Sequence, residues 1–156
     1  MARIWITNGT PTMPGLLNPL AAACDNGYVP DEARILSNPG VAESVAAASD
    51  MFETIIDAHG GDAAVSEHRL ETETDFQGII EFYRSAIEAA HENGDVIAVD
   101  VTPGRKFMSA IAFQAGFRFG ADHVFYFYRK SGAYYGDLYS EIPRTATELI
   151  DFTEVM

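Results

Sequence analysis

A three-layer α/β fold with a doubly wound, mostly parallel sheet is predicted for this chain by three observations. Short apolar, β-branched runs alternate with segments of helical apolar spacing along most of the sequence. Several of the helical segments run into Gly-containing stops, as α/β units do. At 156 residues and 47% apolar composition, the chain is long enough for one domain with a real core and too apolar for disorder.

The elements follow in order. Residues 2–8, with Ile4, Trp5 and Ile6, read as the first strand; their apolar stretch is too short for a signal peptide. Leu16, Leu17, Leu20, Ala21 and Cys24 have helical spacing and meet a stop at Asp25-Asn26-Gly27. Residues 33–36 are a short second strand. Val41, Val45, Ala48, Phe52 and Ile55 lie on one helix face, which ends at His59-Gly60-Gly61. Residues 63–70 are the third strand. Thr74 and Gln77 have capping-box spacing, with Thr74 as N-cap. Phe76, Ile79, Ile80, Tyr83, Ile87 and Ala90 then line a helix that stops at Asn93-Gly94.

Residues 96–101 are the fourth strand, and Met108, Ile111, Ala112, Ala115 and Phe119 mark the fourth helix. Residues 124–128 are the fifth strand. Lys130-Ser131-Gly132 is expected to turn the chain into a last strand over 134–142, and 145–152 to form a short closing helix. No repeat, linker or low-complexity block interrupts the series. The expectation is one Rossmann-like domain over residues 1–156, ending in a C-terminal hairpin or edge strand.

Charge narrows the partners. Asp and Glu number 23 against ten basic residues, for a net charge of -13. The carboxylates are dispersed, which fits a salt-adapted, halophilic surface: at about 1 M salt the Debye length is about 3 Å. Duplex nucleic acid is disfavoured, because such binding rests on many Lys and Arg contacts to phosphate. No apolar run approaches the roughly 20 residues of a membrane span. The single cysteine, Cys24, permits no internal disulfide and fits a cytoplasmic location.

Against this background, scarce positive charge is placed at one turn. The strand 96–99 leads into Asp100-Val101-Thr102-Pro103-Gly104-Arg105-Lys106, and only two lysines, Lys106 and Lys130, exist in the chain. Strand-to-helix turns of this kind bind anions in open α/β sheets. The first strand ends in a second such loop, Thr7-Asn8-Gly9-Thr10-Pro11-Thr12-Met13-Pro14-Gly15. If the first and fourth strands are neighbours, Asn8, Gly9, Thr10, Thr12, Thr102, Gly104, Arg105, Lys106 and Ser109 converge on one crevice. Hydroxyls, amides, backbone N–H groups and two cations suit phosphate and ribose. A bracing role is also open to Asp100, and Tyr134 and Tyr135 either pack or stack on a base.

Several templates are absent. There is no G-x-x-x-x-G-K-[ST], no G-x-G-x-x-G and no G-x-S-x-G. His59, His68, His91 and His123 are scattered without metal-ligand spacing, so no metal or cofactor is expected.

The two loops resemble those of the CARF family, the CRISPR-associated Rossmann fold. Residues 7–14 match its polar first loop, and Asp100 to Lys106 fits its D-x-T-x-G-x-K motif at every fixed position. The resemblance implies a homodimer that binds a cyclic oligoadenylate across its two-fold axis. It implies either a sensor or a ring nuclease that opens the ligand without metal, by ribose 2′-OH attack on phosphorus. In the nuclease reading Lys106 and Thr10 are catalytic, and Asn8, Gly9, Thr12, Thr102, Gly104, Arg105 and Ser109 bind ligand. The chain departs from the family at Pro103-Gly104-Arg105, where many members carry a small residue and then Thr. With no nuclease motif after the domain, a standalone member is expected. A flavodoxin-like domain for another nucleotide is the remaining alternative.

Overall fold

The computed structural model describes residues 1–156. Five βα-type strands and one returning strand form a single six-stranded sheet of order β3-β2-β1-β4-β5-β6. The strands are β1 (Arg3–Asn8), β2 (Glu32–Ser37), β3 (Ala64–Arg69), β4 (Val96–Asp100), β5 (His123–Arg129) and β6 (Thr147–Asp151). The first five are mutually parallel, and β6 returns antiparallel to β5. Helices α1 (Met13–Asp25), α2 (Ala42–Ala58), α3 (Phe76–Asn93) and α4 (Lys106–Phe119) are the crossovers, and α5 (Phe152–Val155) is a closing turn.

Strand alternation builds two cores, because successive side chains point to opposite faces. Ile4, Ile6, Ile97 and Val99 meet Ile79, Tyr83 and Ile87 of α3 and Met108 and Ala112 of α4. Trp5, Ala33, Ile35 and Ala98 meet Leu16 and Leu20 of α1 and Val45, Phe52 and Ile56 of α2. The pairs of helices thus cover opposite faces, which makes the fold three-layered and doubly wound.

Two local expectations need correction. Asp75, not Thr74, caps α3: its carboxylate accepts from the Gly78 N–H. A carboxylate one residue nearer the helix outcompetes the hydroxyl for the first-turn donors. Residues 134–142 form no strand. They belong to a run of three 3-10 turns, Gly132–Tyr134, Tyr139–Glu141 and Arg144–Ala146, and the edge strand is β6, where a closing helix was expected. The run is held by tertiary contacts instead of a ladder. The Asn18 amide of α1 donates to Asp137 O (2.9 Å) and accepts from Tyr139 N (2.8 Å). Tyr139 Oη and Arg144 both donate to Asp25 at the end of α1.

Candidate functional site

The sheet order reverses between β1 and β4, which are paired with Thr7 opposite Asp100. Chains leave the carboxyl ends of these neighbours in opposite directions, one to α1 and one to α4. A crevice between the two loops is the geometric result. Gly104 marks the seam. Its φ is +99°, and a Cβ there would stand 3.0 Å from Asn8 Cβ. Gly9 sits equally close to β2, its N–H donating to Leu36 O at 2.7 Å.

The crevice has two lobes that share Thr10 and Gly104. The lobe over β5 has a volume of about 310 Å³ and is lined by Thr10, Thr12, Thr102, Tyr128, Arg129 and Tyr135, among others. The lobe over α2 has about 250 Å³ and is lined by Gly9, Asn38, Val41, Glu73 and Arg105. Neither helix that opens here, α1 or α4, carries a side-chain cap. The first-turn N–H groups of α4 are available to an anion, whereas in α1 Pro14 has no N–H and that of Gly15 donates to Thr12 O at 3.1 Å.

The predicted residues separate into free and committed groups. The side-chain hydroxyls of Thr10 and Thr12 have no protein partner, although Thr10 O accepts from Ser44 Oγ. Thr102 Oγ1 accepts from the Phe127 N–H at 2.9 Å and so latches β4 to β5. Ser109 Oγ donates to Pro103 O (3.3 Å) and braces the turn. Asn8 is fully buried beneath the floor, where Tyr83 Oη donates to its Oδ1 at 2.7 Å. Arg105 is tied to Glu73 (2.8 Å), which holds its guanidinium above the usual range. Lys106 is the exposed first residue of α4, and it takes part in none of the five ion pairs.

Asp100 lies under the same seam and is fully buried. Thr7 Oγ1 and Thr102 N donate to its two oxygens, at 2.9 and 3.0 Å. Burial still wins: it pushes the carboxyl from 3.8 up to about 7, and the hydrogen bonds only moderate the rise. Asp100 therefore braces the turn from below and is closed off from the crevice.

Sequence reasoning missed Arg129. It ends β5, lines the larger lobe and has no carboxylate partner; its guanidinium lies 4.8 Å from the ring centroid of Tyr135. A lone Arg beside Lys130 in a -13 chain was the available signal, but its placement depends on the run of 3-10 turns.

No protein-family model and no curated protein sequence matches the chain. Solved structures do. A type III CRISPR defence DNA nuclease activated by cyclic oligoadenylate is 16% identical, with a TM-score of 0.64 over 83% of this chain and 19% of that one. Csm6 from Enterococcus italicus, bound to cyclic hexa-2′-fluoro-hexa-dAMP, is 14% identical, with a TM-score of 0.66 over 99% of this chain and 42% of that one. Can2 from Sulfobacillus thermosulfidooxidans, in complex with cyclic tetra-adenylate, is 14% identical, with a TM-score of 0.54 over 80% and 31%. The chain spans less than half the length of each of these proteins. The fold is CARF-like, as the two loops implied.

Proposed function

We propose that this domain binds a cyclic oligoadenylate in the crevice, as a homodimer, and opens the ring by a metal-independent ring-nuclease reaction. The observation that carries the reading is the junction of the β1 and β4 loops at one switch point, with Thr10 and Gly104 common to both lobes. Free hydroxyls, the open first turn of α4 and the unpaired Arg129 suit a cyclic polyanion. The ligands named for the CARF-like neighbours are of the same class.

In the reaction a ribose 2′-OH attacks the adjacent phosphorus in line. The P–O5′ bond breaks, the 5′ oxygen takes a proton, and a linear product with a 2′,3′-cyclic phosphate remains. Lys106 stabilises the charge on the phosphorane, and Thr10 orients the ribose or phosphate. Thr12, Gly9, Gly104 and Arg105 contact the backbone, while Asn8, Thr102 and Ser109 hold the loops in shape. Glu73, the one carboxylate lining the crevice, is engaged by Arg105, so no free general base is offered and turnover is slow.

Labelled cyclic tetra-adenylate incubated with the protein at high salt tests this. Linear product is expected. Lys106→Ala should abolish cleavage and weaken binding by about 1.5–3 kcal/mol, the range for a charge-assisted contact. Wild-type cleavage by that variant overturns the catalytic assignment. Retention of intact ligand by the native protein supports the second reading, a sensor without cleavage, which is favoured by the absence of Lys106 from the lining of both lobes.

A further inference from the structure

Residues 131–136 leave β5 and return past the mouth of the larger lobe. Both ends of this stretch are fixed. Lys130 N donates to Ala146 O at 2.8 Å, and Asn18 holds Asp137 O and Tyr139 N. Between the anchors Tyr134 packs against the cluster of Phe127 and Tyr139, while the residues on either side of it are exposed. A Cβ added at Gly132 or Gly136 would meet no atom within 4 Å, and Gly136 has φ +84°. The ring at the tip, Tyr135, is 72% exposed, which is unusual for an aromatic with no hydrogen bond to hold it. Yet its position is defined, because Arg129 lies over one face at 4.8 Å. The other face is open.

A guanidinium over a ring keeps its in-plane N–H donors for an anion. Arg129 is unpaired in a chain with 23 acidic residues, and it lines the same lobe as Thr10, Thr12 and Thr102. An aromatic face beside an unpaired Arg matches a planar base joined to a phosphate. We infer that Tyr135 and Arg129 form a clasp for a purine nucleotide, with the base stacked on the open face of Tyr135 and the phosphate held by Arg129. This deepens the cyclic-oligoadenylate reading by naming the contacts that select a base, and it rests on that reading only for the identity of the natural ligand.

Calorimetric titration of the whole protein with cyclic tetra-adenylate, AMP and ribose 5-phosphate tests the clasp. Tyr135→Ala should weaken both base-bearing ligands about tenfold, the scale of one lost stack, and leave ribose 5-phosphate unchanged. Tyr135→Phe should bind like wild type, since the ring is kept. Arg129→Gln should weaken all three. Tyr135 is exposed enough that an unchanged thermal midpoint will verify the fold of these variants. If Tyr135→Ala binds cyclic tetra-adenylate as tightly as wild type does, the clasp is wrong and the proposed function stands. If cyclic tetra-adenylate is ignored while AMP binds in a Tyr135-dependent way, the proposed ligand is wrong and the clasp stands. Binding of none of the three overturns both.

Discussion

Asp100 sits buried where the ends of β1 and β4 meet, and only Thr7 and Thr102 reach its oxygens. Its folded-state value of about 7 stands above the 3.8 of an exposed carboxyl. Between those two values the folded chain holds a proton that the unfolded chain has lost. Stability therefore falls as pH rises through that window, and above it the loss is complete. A shift of this size corresponds to roughly 4 kcal/mol at pH 8. Asp25 and Asp151 work the other way: their partners lower them, so their contribution is lost as pH falls below the ordinary carboxylate range. Asp100→Asn isolates the first effect, because an amide can accept from Thr102 N and donate to Thr7 Oγ1. Thermal midpoints across pH 4 to 8 should show the variant gaining several degrees over wild type at the alkaline end and nothing at the acid end. Parallel profiles for the two proteins would mean that Asp100 is ionised throughout.

At the scale of elements, the crevice depends on how closely the β1 loop is pressed against its neighbours. A Cβ at Gly9 would stand 2.7 Å from Leu36 O and 2.7 and 2.9 Å from methyls of Val45 and Val41. Backbone of β2 and the buried face of α2 cannot yield together, so Gly9→Ala should cost about 1–3 kcal/mol in urea unfolding, the range for overpacking. An unchanged midpoint would show that the loop can lift away from β2. The Gly at this position was visible in the sequence, but the reason for it was not, since Leu36 and Val45 lie far along the chain. The same division holds elsewhere. Short apolar, β-branched runs revealed the strands, because the central ones are buried on both faces, and helical spacing revealed α1 to α4, because each helix buries one face. Residues 130–147 have no such period. Their order comes from Asn18 and Asp25 on α1, so a strand was expected where 3-10 turns lie, and Arg129 and Tyr135 were not assembled into one site. The pairing of Asn8 with Tyr83, 75 residues apart, leaves no sequence signal either.

For the whole molecule, the net charge of -13 sets the conditions under which two copies can meet. The face of α3 and α4 carries a groove of about 570 Å³ with Ile80, Ile111 and Phe119 beside Arg118 and Arg84, the latter paired with Glu88 at 3.0 Å. Phe76 and Phe117 are exposed on the same two helices. Helix α4 joins this groove to Lys106, and its 14 residues span about 21 Å, so a copy docked here would lie within one helix length of the site. That is the surface on which the proposed homodimer is best supported. Repulsion between two such anions reaches about 8 Å at physiological salt and only about 3 Å at 1 M, so association should strengthen as salt rises. Light scattering across that salt range should show the dimer fraction increasing, and Ile80→Glu, which places a carboxylate in the apolar groove, should remain monomeric throughout. A variant that dimerises like wild type would move the interface off this face. A wild-type chain that stays monomeric at every salt concentration would remove the two-fold arrangement from the proposed function, leaving a single crevice to hold the ligand alone.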